Sequence, residues 1–355
     1  MVIPPARPTM RTISSLLRSL PRRCHSTSTG PSSVSASEVS HFSSLASSWW
    51  DPMGPSRVLH LMNPLRHEFI ATCLAEGSPA TPATQSESNP APNKLHYLDV
   101  GCGGGIFAES LARTVPIPGS REAQSQTVTR AASITAIDPT TTLIQIARDH
   151  ARKDPKVSAH LEEDRFRYIN CTLEDLIASR SKKAENTNTP TPSASLVPAT
   201  AAAQAASGFD MITLFEVIEH IDTNASISPL TFLTDCLRLL NPGGWLIGST
   251  IARSLPSYFI NQVIAEAPWP IGVVPKGTHE WSKFVNPDEL ESWAAEGLMR
   301  ARDIEGGSVQ RAGSEALDGM RWIRKGVVYF PGLGWKFVTG SESWGNYFWA
   351  IRRGV

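Results

Sequence analysis

The chain lacks the cysteine spacings on which zinc knuckles and disulfide frameworks depend. Its five cysteines are scattered through 355 residues, and no two of them form a Cys-x-x-Cys pair. Neither a zinc site of that kind nor a disulfide-stapled domain is therefore indicated. The chain also has no excess of basic charge, since 33 Lys and Arg balance 33 Asp and Glu. Affinity for phosphate backbones requires clustered positive charge, so we expect no nucleic-acid partner.

Acidic residues are absent from the first 37 positions, where five arginines precede Glu38. Apolar residues recur there at helical spacing, at Ile13, Leu16, Leu17 and Leu20. An acid-free, amphipathic leader rich in arginine and serine is typical of a mitochondrial transit peptide, here residues 1–37. A disordered basic tail is the alternative. A secretory signal fits less well, because the leader has no uninterrupted apolar core.

The rest of the chain has an ordinary globular composition, with 41% hydrophobic and 19% charged residues overall. Three stretches rich in Pro, Ser, Thr, Ala and Gln show no apolar periodicity, and we expect them to be disordered loop insertions: 79–94, 115–133 and 181–207. Without the leader and these insertions about 250 residues remain, which favours a single domain over residues 38–355.

Outside the insertions, predicted strands and helices alternate, which favours a mostly parallel sheet. The strands are predicted at 96–101, 133–138, 165–170, 209–215 and 245–250. Helices are predicted at 106–114, 141–152, 173–180 and 228–240. Further strands near 298–304 and 344–352 would complete a seven-stranded sheet, and two apolar-periodic stretches predict helices ahead of the first strand.

The central motif is a buried strand, ending in Leu-Asp-Val, that runs into Gly-Cys-Gly-Gly-Gly. Gly101, Gly103 and Gly105 permit positive φ and lack the Cβ atoms that would block a ligand, as at a nucleotide site. The hydride-cofactor pattern G-x-G-x-x-G would need a third glycine where the chain has Ile106. The G-x-G-x-G pattern, with Asp99 two residues before it, resembles the S-adenosylmethionine loop of class I methyltransferases.

Asp138 ends the second predicted strand. When the insertion 115–133 is left out, it lies about 20 residues after the glycine loop, where a carboxylate usually binds a ribose diol. The alternative role is a helix N-cap. That role does not explain why the aspartate stands at this distance from the loop.

The fourth predicted strand is followed directly by three polar side chains, those of Glu216, Glu219 and His220. They stand at i, i+3 and i+4, so on a helical turn they would share one face. Two carboxylates and an imidazole could then bind one cation, and the ligand types suit Mg²⁺, Mn²⁺ or Zn²⁺. Alternatively, Glu216 caps a helix and His220 packs beneath a cofactor. The spacing leaves both interpretations open.

Residues 257–274 are nearly uncharged and rich in large apolar side chains. Pro268, Pro270 and Gly272 interrupt the stretch, so it cannot cross a bilayer as one helix. Because it follows the fifth strand, we expect an apolar lid over the methyl acceptor. The alternatives are that the stretch is ordinary core or that it is a lid lying in a membrane interface, in which case Trp269 and its neighbours would contact lipid.

Several short blocks carry a resemblance to a known family: Trp49-Trp50-Asp51, Asn63-Pro64-Leu65-Arg66, the glycine loop, Glu216-Val217-Ile218-Glu219-His220 and Val274-Pro275-Lys276-Gly277-Thr278-His279. With them, residues 42–305 resemble the ubiquinone-biosynthesis O-methyltransferases, mitochondrial and bacterial enzymes that methylate catechol hydroxyls on polyprenylated precursors. The second and last blocks are more specific than the glycine loop. The resemblance implies a Rossmann-like class I methyltransferase fold.

The resemblance also implies roles for individual residues. Those expected to contact S-adenosylmethionine are Arg66, Gly101, Asp138 and Phe215. Those expected to bind magnesium are Glu216, Glu219 and His220. Phe215 departs from the family, which often has Met there, but either side chain can pack on a flat adenine. His279 is a candidate proton acceptor on chemical type alone.

The expected reaction is methylation of a polyprenyl-dihydroxybenzoate or of demethylubiquinol, at the matrix face of the mitochondrial inner membrane and within a multi-enzyme quinone-biosynthesis complex. A phenol has a pKa near 10, so a divalent cation chelated by both catechol oxygens would favour the phenolate. The alternative function, that of a Rossmann dehydrogenase, is disfavoured because Ile106 stands where the third glycine of its motif would be. A methyltransferase for another small aromatic acceptor is a further alternative. A catalytically silent, cofactor-binding assembly subunit is disfavoured because the two glutamates and the histidine are present together.

Overall fold

The structure is a computed structural model that describes residues 32–77, 93–185, 197–223, 227–259, 263, 266, 280–304, 317–330 and 332–354. The compact unit that contains them begins at Ser32. Ser33 is tied to this unit, because its carbonyl accepts the Asp222 N–H and its own N–H donates to the Glu174 carboxylate. The folded domain therefore begins a few residues before the predicted boundary at 37 and 38. Most of the predicted transit peptide lies outside the described residues.

One eight-stranded sheet forms the centre of the described domain. Its strands are β1 (Leu95–Val100), β2 (Ala131–Asp138), β3 (Phe166–Asn170), β4 (Phe209–Phe215), β5 (Leu240–Ile251), β6 (Arg321–Phe330), β7 (Gly334–Phe337) and β8 (Asn346–Arg352). Their order in the sheet is β3-β2-β1-β4-β5-β8-β6-β7. The first five strands are parallel, while β6, β7 and β8 join antiparallel.

Helices cover both faces of this sheet. In the described residues they are α1 (Ala36–Leu45), α2 (Arg57–Glu76), α3 (Ile106–Ala112), α4 (Thr141–Ala151), α5 (Pro155–Glu162), α6 (Leu173–Glu185), α7 (Ala199–Ser207), α8 (Pro229–Leu239), α9 (Leu255–Ser257) and α10 (Pro287–Ile304). Successive strand residues point to opposite faces, and accordingly Tyr97 and Leu98 belong to two different hydrophobic clusters. Both faces of the central strands are therefore buried, as in other parallel sheets.

The predicted fold class, a Rossmann-like class I methyltransferase sheet, is confirmed, although the strand count differs by one. The strand predicted near 298–304 is wrong, because these residues end helix α10. Its apolar residues recur at helical spacing on the buried side, at Leu290, Ala294, Leu298 and Ala301. A short apolar run does not by itself distinguish a strand from a helix, and the helical spacing becomes visible only when the residues before 298 are included. The β6–β7 hairpin supplies the strands that replace it.

Two of the predicted insertions contain regular structure. Residues 199–207 form helix α7, whose Ala201 and Ala205 are fully buried in the core, because an alanine-rich segment has high helix propensity and packs closely. The stretch 115–133 has a defined course with a short 3₁₀ helix at Arg121–Gln124, and Thr127 donates to Asn93. Both findings correct the expectation of disordered loops. Residues 78–92 and 186–196 lie outside the described part.

Candidate active site

A cavity of about 570 Å³ lies at the carboxyl ends of the parallel strands. Asp99, Gly101, Asp138, Phe215 and Glu216 all line it. The sheet order reverses between β1 and β4, and open α/β sheets bind ligands at such a point. The cavity is therefore where the fold alone would place a ligand.

The glycine loop after β1 approaches other parts of the molecule too closely for side chains. Gly103 has φ +54° and Gly105 has φ +86°, both in the left-handed region that glycine adopts without strain. A Cβ at Gly103 would lie 2.7 Å from the ring of Trp49, and one at Gly105 would overlap the hydroxyl of Tyr168. Glycine is thus required here both by backbone conformation and by packing.

Asp138, at the end of β2, holds this loop in place. One carboxylate oxygen accepts the N–H of Gly103 at 2.9 Å, and the other accepts the N–H of Thr140 at 2.8 Å. Burial raises the pKa of Asp138, and the two backbone donors partly offset that shift. Thr140, not Asp138, occupies the N-cap position of α4, which argues against the capping interpretation. Asp138 lies at the cavity wall, as the ribose interpretation requires.

Arg66, on helix α2, reaches the same cavity across the sheet edge. Its guanidinium carbon lies 4.9 Å from the ring centre of Phe215 and 5.8 Å from that of Phe107. One terminal nitrogen donates to Asn63, but Nε has no hydrogen-bond partner in the described part of the chain. Burial lowers the pKa of Arg66 to about 10. A buried cation with an unused donor is a group that a bound anion would satisfy.

Asp99 is the negative counterpart of Arg66, and the sequence singled it out only as part of the glycine motif. Its Oδ1 accepts a 2.6 Å hydrogen bond from the Thr213 hydroxyl, whereas Oδ2 lacks a partner among the described residues. Burial raises the pKa of Asp99 to about 7. Arg66 and Asp99 both line the cavity, so it offers an unused cationic donor and an unused carboxylate oxygen. A zwitterionic amino-acid group would satisfy both.

Glu216 does not lie on the helical turn that its spacing suggested. Its φ of +58° places it in the left-handed region, and the 3₁₀ helix that follows spans only Ile218–His220. This strain is of the kind that clusters at functional sites. The Glu216 carboxylate accepts the Ser249 hydroxyl at 2.6 Å and faces the Asn346 amide at 3.5 Å. Both alternatives drawn from helical spacing, a shared helix face and a helix cap, are therefore wrong in their geometry.

Glu219 and His220 nevertheless line the same cavity as Glu216. The buried Glu219 carboxylate accepts the Thr250 hydroxyl at 2.8 Å, and burial followed by the charge of Glu216 raises its pKa to about 7. His220 Nδ1 lies 3.3 Å from a carboxylate oxygen of Glu38 on α1. Burial is the largest single influence and opposes the charged imidazole, but the hydrogen bond with Glu38 and the charges of Glu219, Glu38 and Glu216 together raise the pKa of His220. Glu38 was not predicted as a site residue.

Among the described residues, no three His, Cys, Asp or Glu side chains are arranged to hold a metal ion. The donor set still fits a divalent cation chemically. Two carboxylates and an imidazole share one cavity wall, and the pKa of Glu219 reflects repulsion between the carboxylates that a cation would relieve. To bind a cation, these side chains would have to give up some of the hydrogen bonds described above.

Two predicted features cannot be placed. His279 and Trp269 lie outside the described residues. The start of the predicted apolar lid is described, and three of its large side chains are exposed, those of Tyr258, Phe259 and Val263, as is Leu255 just before it. In the part of the chain that the structure covers, no helix is both long enough and apolar enough to cross a membrane.

A family model for the methyltransferase domain matches residues 60–297. The mitochondrial ubiquinone biosynthesis O-methyltransferase of Candida albicans is 31% identical over 91% of this chain and 86% of its own length. Its namesake from Schizosaccharomyces pombe is 33% identical over 77% of this chain and 76% of its own length. The chain belongs to the ubiquinone biosynthesis O-methyltransferase family. It is an S-adenosylmethionine-dependent O-methyltransferase, and the glycine loop and strand order agree with the class I methyltransferase fold.

A bacterial member of the family, from Actinobacillus pleuropneumoniae, is 32% identical over 77% of this chain and 88% of its own length. Among solved structures, a methyltransferase from Thermotoga maritima, possibly acting on histamine, matches with a TM-score of 0.43 and 13% identity. That match covers 89% of this chain and all of the solved chain. The family assignment rests on the sequence relatives and the fold on the strand order.

Proposed function

We propose that this family member transfers the methyl group of S-adenosylmethionine to a catechol hydroxyl of a polyprenylated ubiquinone precursor, such as a polyprenyl-dihydroxybenzoate or demethylubiquinol. The observation that carries the proposal is that a single cavity joins the cofactor loop at Gly101 to the acidic cluster beside Glu216. Displacement at the methyl carbon is mainly a positioning task, with the acceptor oxygen about 3 Å away and opposite the sulfonium. The relatives' names support ubiquinone precursors as the acceptors.

In this proposal, the cofactor occupies the half of the cavity around β1 and β2. Asp138 binds the ribose hydroxyls while it keeps its hydrogen bond to the Gly103 backbone. Arg66 donates from Nε to the cofactor's carboxylate, and Asp99 accepts from its ammonium group, which would satisfy both unused atoms. Phe215 contacts the cofactor from the end of β4, and Gly101 leaves room for its backbone approach.

Glu216, Glu219 and His220 would hold the divalent cation, most simply Mg²⁺. When bound, such an ion lowers the pKa of a coordinated phenol and so favours the nucleophilic phenolate. The Glu38 carboxylate accepts from His220 Nδ1, which leaves Nε2 as the nitrogen available for coordination. The acceptor's proton then needs a base, and His279 remains our candidate for it.

We also propose a location at the matrix face of the mitochondrial inner membrane, as part of a quinone-biosynthesis complex. The mitochondrial relatives support the organelle, and the exposed side chains of Leu255, Phe259 and Val263 support contact with lipid. Liposome flotation tests the contact. We expect wild type to float and a variant with serine at these three positions to remain in solution. Equal flotation of both would contradict a role for this segment.

The reaction is tested with purified protein, methyl-labelled cofactor and a short-tailed catechol, with and without EDTA. We expect label on one catechol oxygen, and a large loss of rate after chelation that added Mg²⁺ restores. Cofactor binding without any transfer would instead favour the silent assembly subunit. Full activity in EDTA would remove the metal from the proposal and leave the methyltransferase reaction intact.

A further inference from the structure

The cavity continues beyond the acidic cluster, towards the far edge of the sheet. Its lining extends to residues of helix α2 and of the β6–β7 hairpin: Val58, Met62, Val327, Val328, Tyr329 and Trp335. We call this region the hairpin lobe. The cofactor and the reacting catechol, as placed above, do not account for it.

Strand pairing explains why the hairpin stands beside the cavity. β6 is paired with β8 as far as Gly326, opposite Tyr347, and from Val327 onward it is paired with β7. β8 itself begins at Asn346, opposite the carboxyl end of β5. The hairpin beyond Gly326 therefore projects past the same sheet edge at which the cavity opens.

One face of the hairpin is turned towards helix α2. Tyr329 and Trp335 are cross-strand partners with ring centres 5.3 Å apart, and the Trp335 indole donates to the Val58 carbonyl at 2.9 Å. On the same face, Phe337 lies 6.2 Å from Phe69 of α2. Because side chains alternate along a strand, Phe330 belongs to the opposite face. These contacts fix the hairpin against α2 and give the lobe a defined wall.

Charge is segregated within the cavity. The carboxylate, guanidinium and imidazole side chains that line it, among the described residues, all lie in the half that holds the glycine loop and the acidic cluster: Glu38, Arg66, Asp99, Asp138, Glu216, Glu219 and His220. The lobe is apolar apart from the Tyr329 hydroxyl and the indole N–H that is already bonded. An apolar space of this kind favours an apolar occupant.

We propose that the hairpin lobe is the subsite for the apolar tail of the acceptor. The inference deepens the proposed function and rests on it. The Glu216 carboxylate extends to Asn346 at the start of β8, and β6 is the next strand in the sheet, roughly 5 Å further at ordinary strand spacing. A catechol beside Glu216 can therefore extend a substituent of a few carbons into the lobe. The lobe makes tail length a determinant of specificity. Each methylene of the tail that is fully buried there should increase the affinity for the acceptor about fourfold.

The test compares a catechol that carries one or two isoprene units with the same catechol without a tail. The quantity measured is the ratio of their kcat/KM values. We expect the ratio to be at least tenfold in wild type and to fall towards one in Tyr329→Asp, since a carboxylate would then face the tail. Activity on the tail-less catechol and affinity for S-adenosylmethionine should remain within about twofold. Tyr329→Phe should keep the wild-type ratio.

The matched control is Phe330→Asp, the same kind of change at the next residue and on the other face of the hairpin. It should leave the ratio unchanged. Should Tyr329→Asp fail to fold, Val58→Asn tests the α2 side of the lobe in the same way. An unchanged ratio in the lobe variants, or an equal loss on both acceptors, would overturn the subsite.

A binding measurement separates this inference from the proposed reaction. Titration of the two catechols into the protein saturated with S-adenosylhomocysteine requires no turnover. If wild type methylates neither catechol, the proposed function fails, and the titration still decides the lobe. Tighter binding of the tailed compound that Tyr329→Asp abolishes would support the subsite, and equal binding of both compounds would refute it.

Discussion

The two halves of the cavity are built in different ways. The cofactor half comes largely from neighbouring strand ends, with Asp99 and Gly103 after β1 and Asp138 after β2, and backbone N–H groups bind its main carboxylate. The acceptor half combines a strained turn at Glu216 with groups from distant segments, including Glu38 of α1 and Asn346 of β8. The strand-end residues of the first half can be recognised in the sequence, although Arg66 joins them only in the folded chain, whereas the second half depends on such contacts throughout.

The electrostatics of the two halves also differ. Asp138 keeps two backbone donors, which favour its ionised form against burial. Glu219 faces the charge of Glu216 while buried, so its ionised form is disfavoured. The glycine loop of the cofactor half is thus held in place before ligand binds, whereas the acceptor half holds repulsion between carboxylates that a bound cation would relieve. Variants in the two halves should therefore fail in different measurements.

The largest expected effect is on turnover in the acceptor half. Glu219→Ala should lower kcat/KM for the catechol about 1,000-fold, because it removes a proposed ligand of the ion that stabilises the phenolate. The dissociation constant for S-adenosylmethionine should stay within about twofold of wild type. Activity assays across a Mg²⁺ titration and calorimetry provide the two numbers. The control is Glu296→Ala on the surface of α10, and wild-type turnover in Glu219→Ala would contradict the role.

The next effect is on cofactor affinity. Asp138→Ala should weaken binding of S-adenosylmethionine at least 100-fold, since it removes the proposed ribose contacts and also releases the Gly103 N–H. Calorimetric titration of the folded variant checks this. Asp149→Ala, which removes an exposed carboxylate from the nearby α4, should bind normally. Unchanged affinity in Asp138→Ala would refute the ribose assignment. It would also mean that variants in the two halves do not fail in different measurements.

A smaller effect is expected for Arg66→Met. The substitution removes the desolvation penalty of a buried guanidinium, but it also removes the cation that faces the charges of Glu216 and Asp99, so the stability of the ligand-free protein should change little. Affinity for S-adenosylmethionine should fall by about 10- to 30-fold. Thermal unfolding with and without cofactor measures both. A variant that loses stability but binds normally would mean that Arg66 serves packing against Phe215 and Phe107.

The smallest effect concerns pH and the Asp99 carboxyl. Its pKa of about 7 in the fold lies above its ordinary value of 3.8, so the folded protein holds a proton that the unfolded chain has lost. Stability from this group is present at low pH and is lost as the pH rises from about 4 to 7. Asp99→Asn should therefore raise Tm at pH 8 by a few degrees and leave it nearly unchanged at pH 4. A parallel shift at both pH values would contradict this origin.

Periodicity predicted most of the parallel sheet because each strand there is a short buried run bounded by turns. β4 was predicted with its observed limits, and β1 to within one residue. The misplaced strand at 298–304 and the missed helix α7 have a common reason. Short apolar or alanine-rich segments take the structure that their packing surface allows, and that surface belongs to other parts of the chain.

The site residues likewise divide into those that the sequence pattern predicted and those that it missed. Gly101, Asp138 and the polar run after β4 were found because chemistry at a strand end leaves a signal in consecutive residues. Glu38, the unused oxygen of Asp99 and the hairpin lobe left none, since their roles depend on contacts between segments far apart in sequence. The assumed helical turn at Glu216 failed because a residue in the left-handed region cannot be recognised from spacing.

The sequence by itself determined the fold class, the cofactor loop and the family of this methyltransferase, because these depend on local patterns of glycine, charge and buried strands. The tertiary structure decided which groups share the cavity with them. Arg66 meets Phe215, Glu38 meets His220, and Trp335 meets Val58, each across a long stretch of chain. Such pairings follow from strand order and packing, which a linear pattern does not encode.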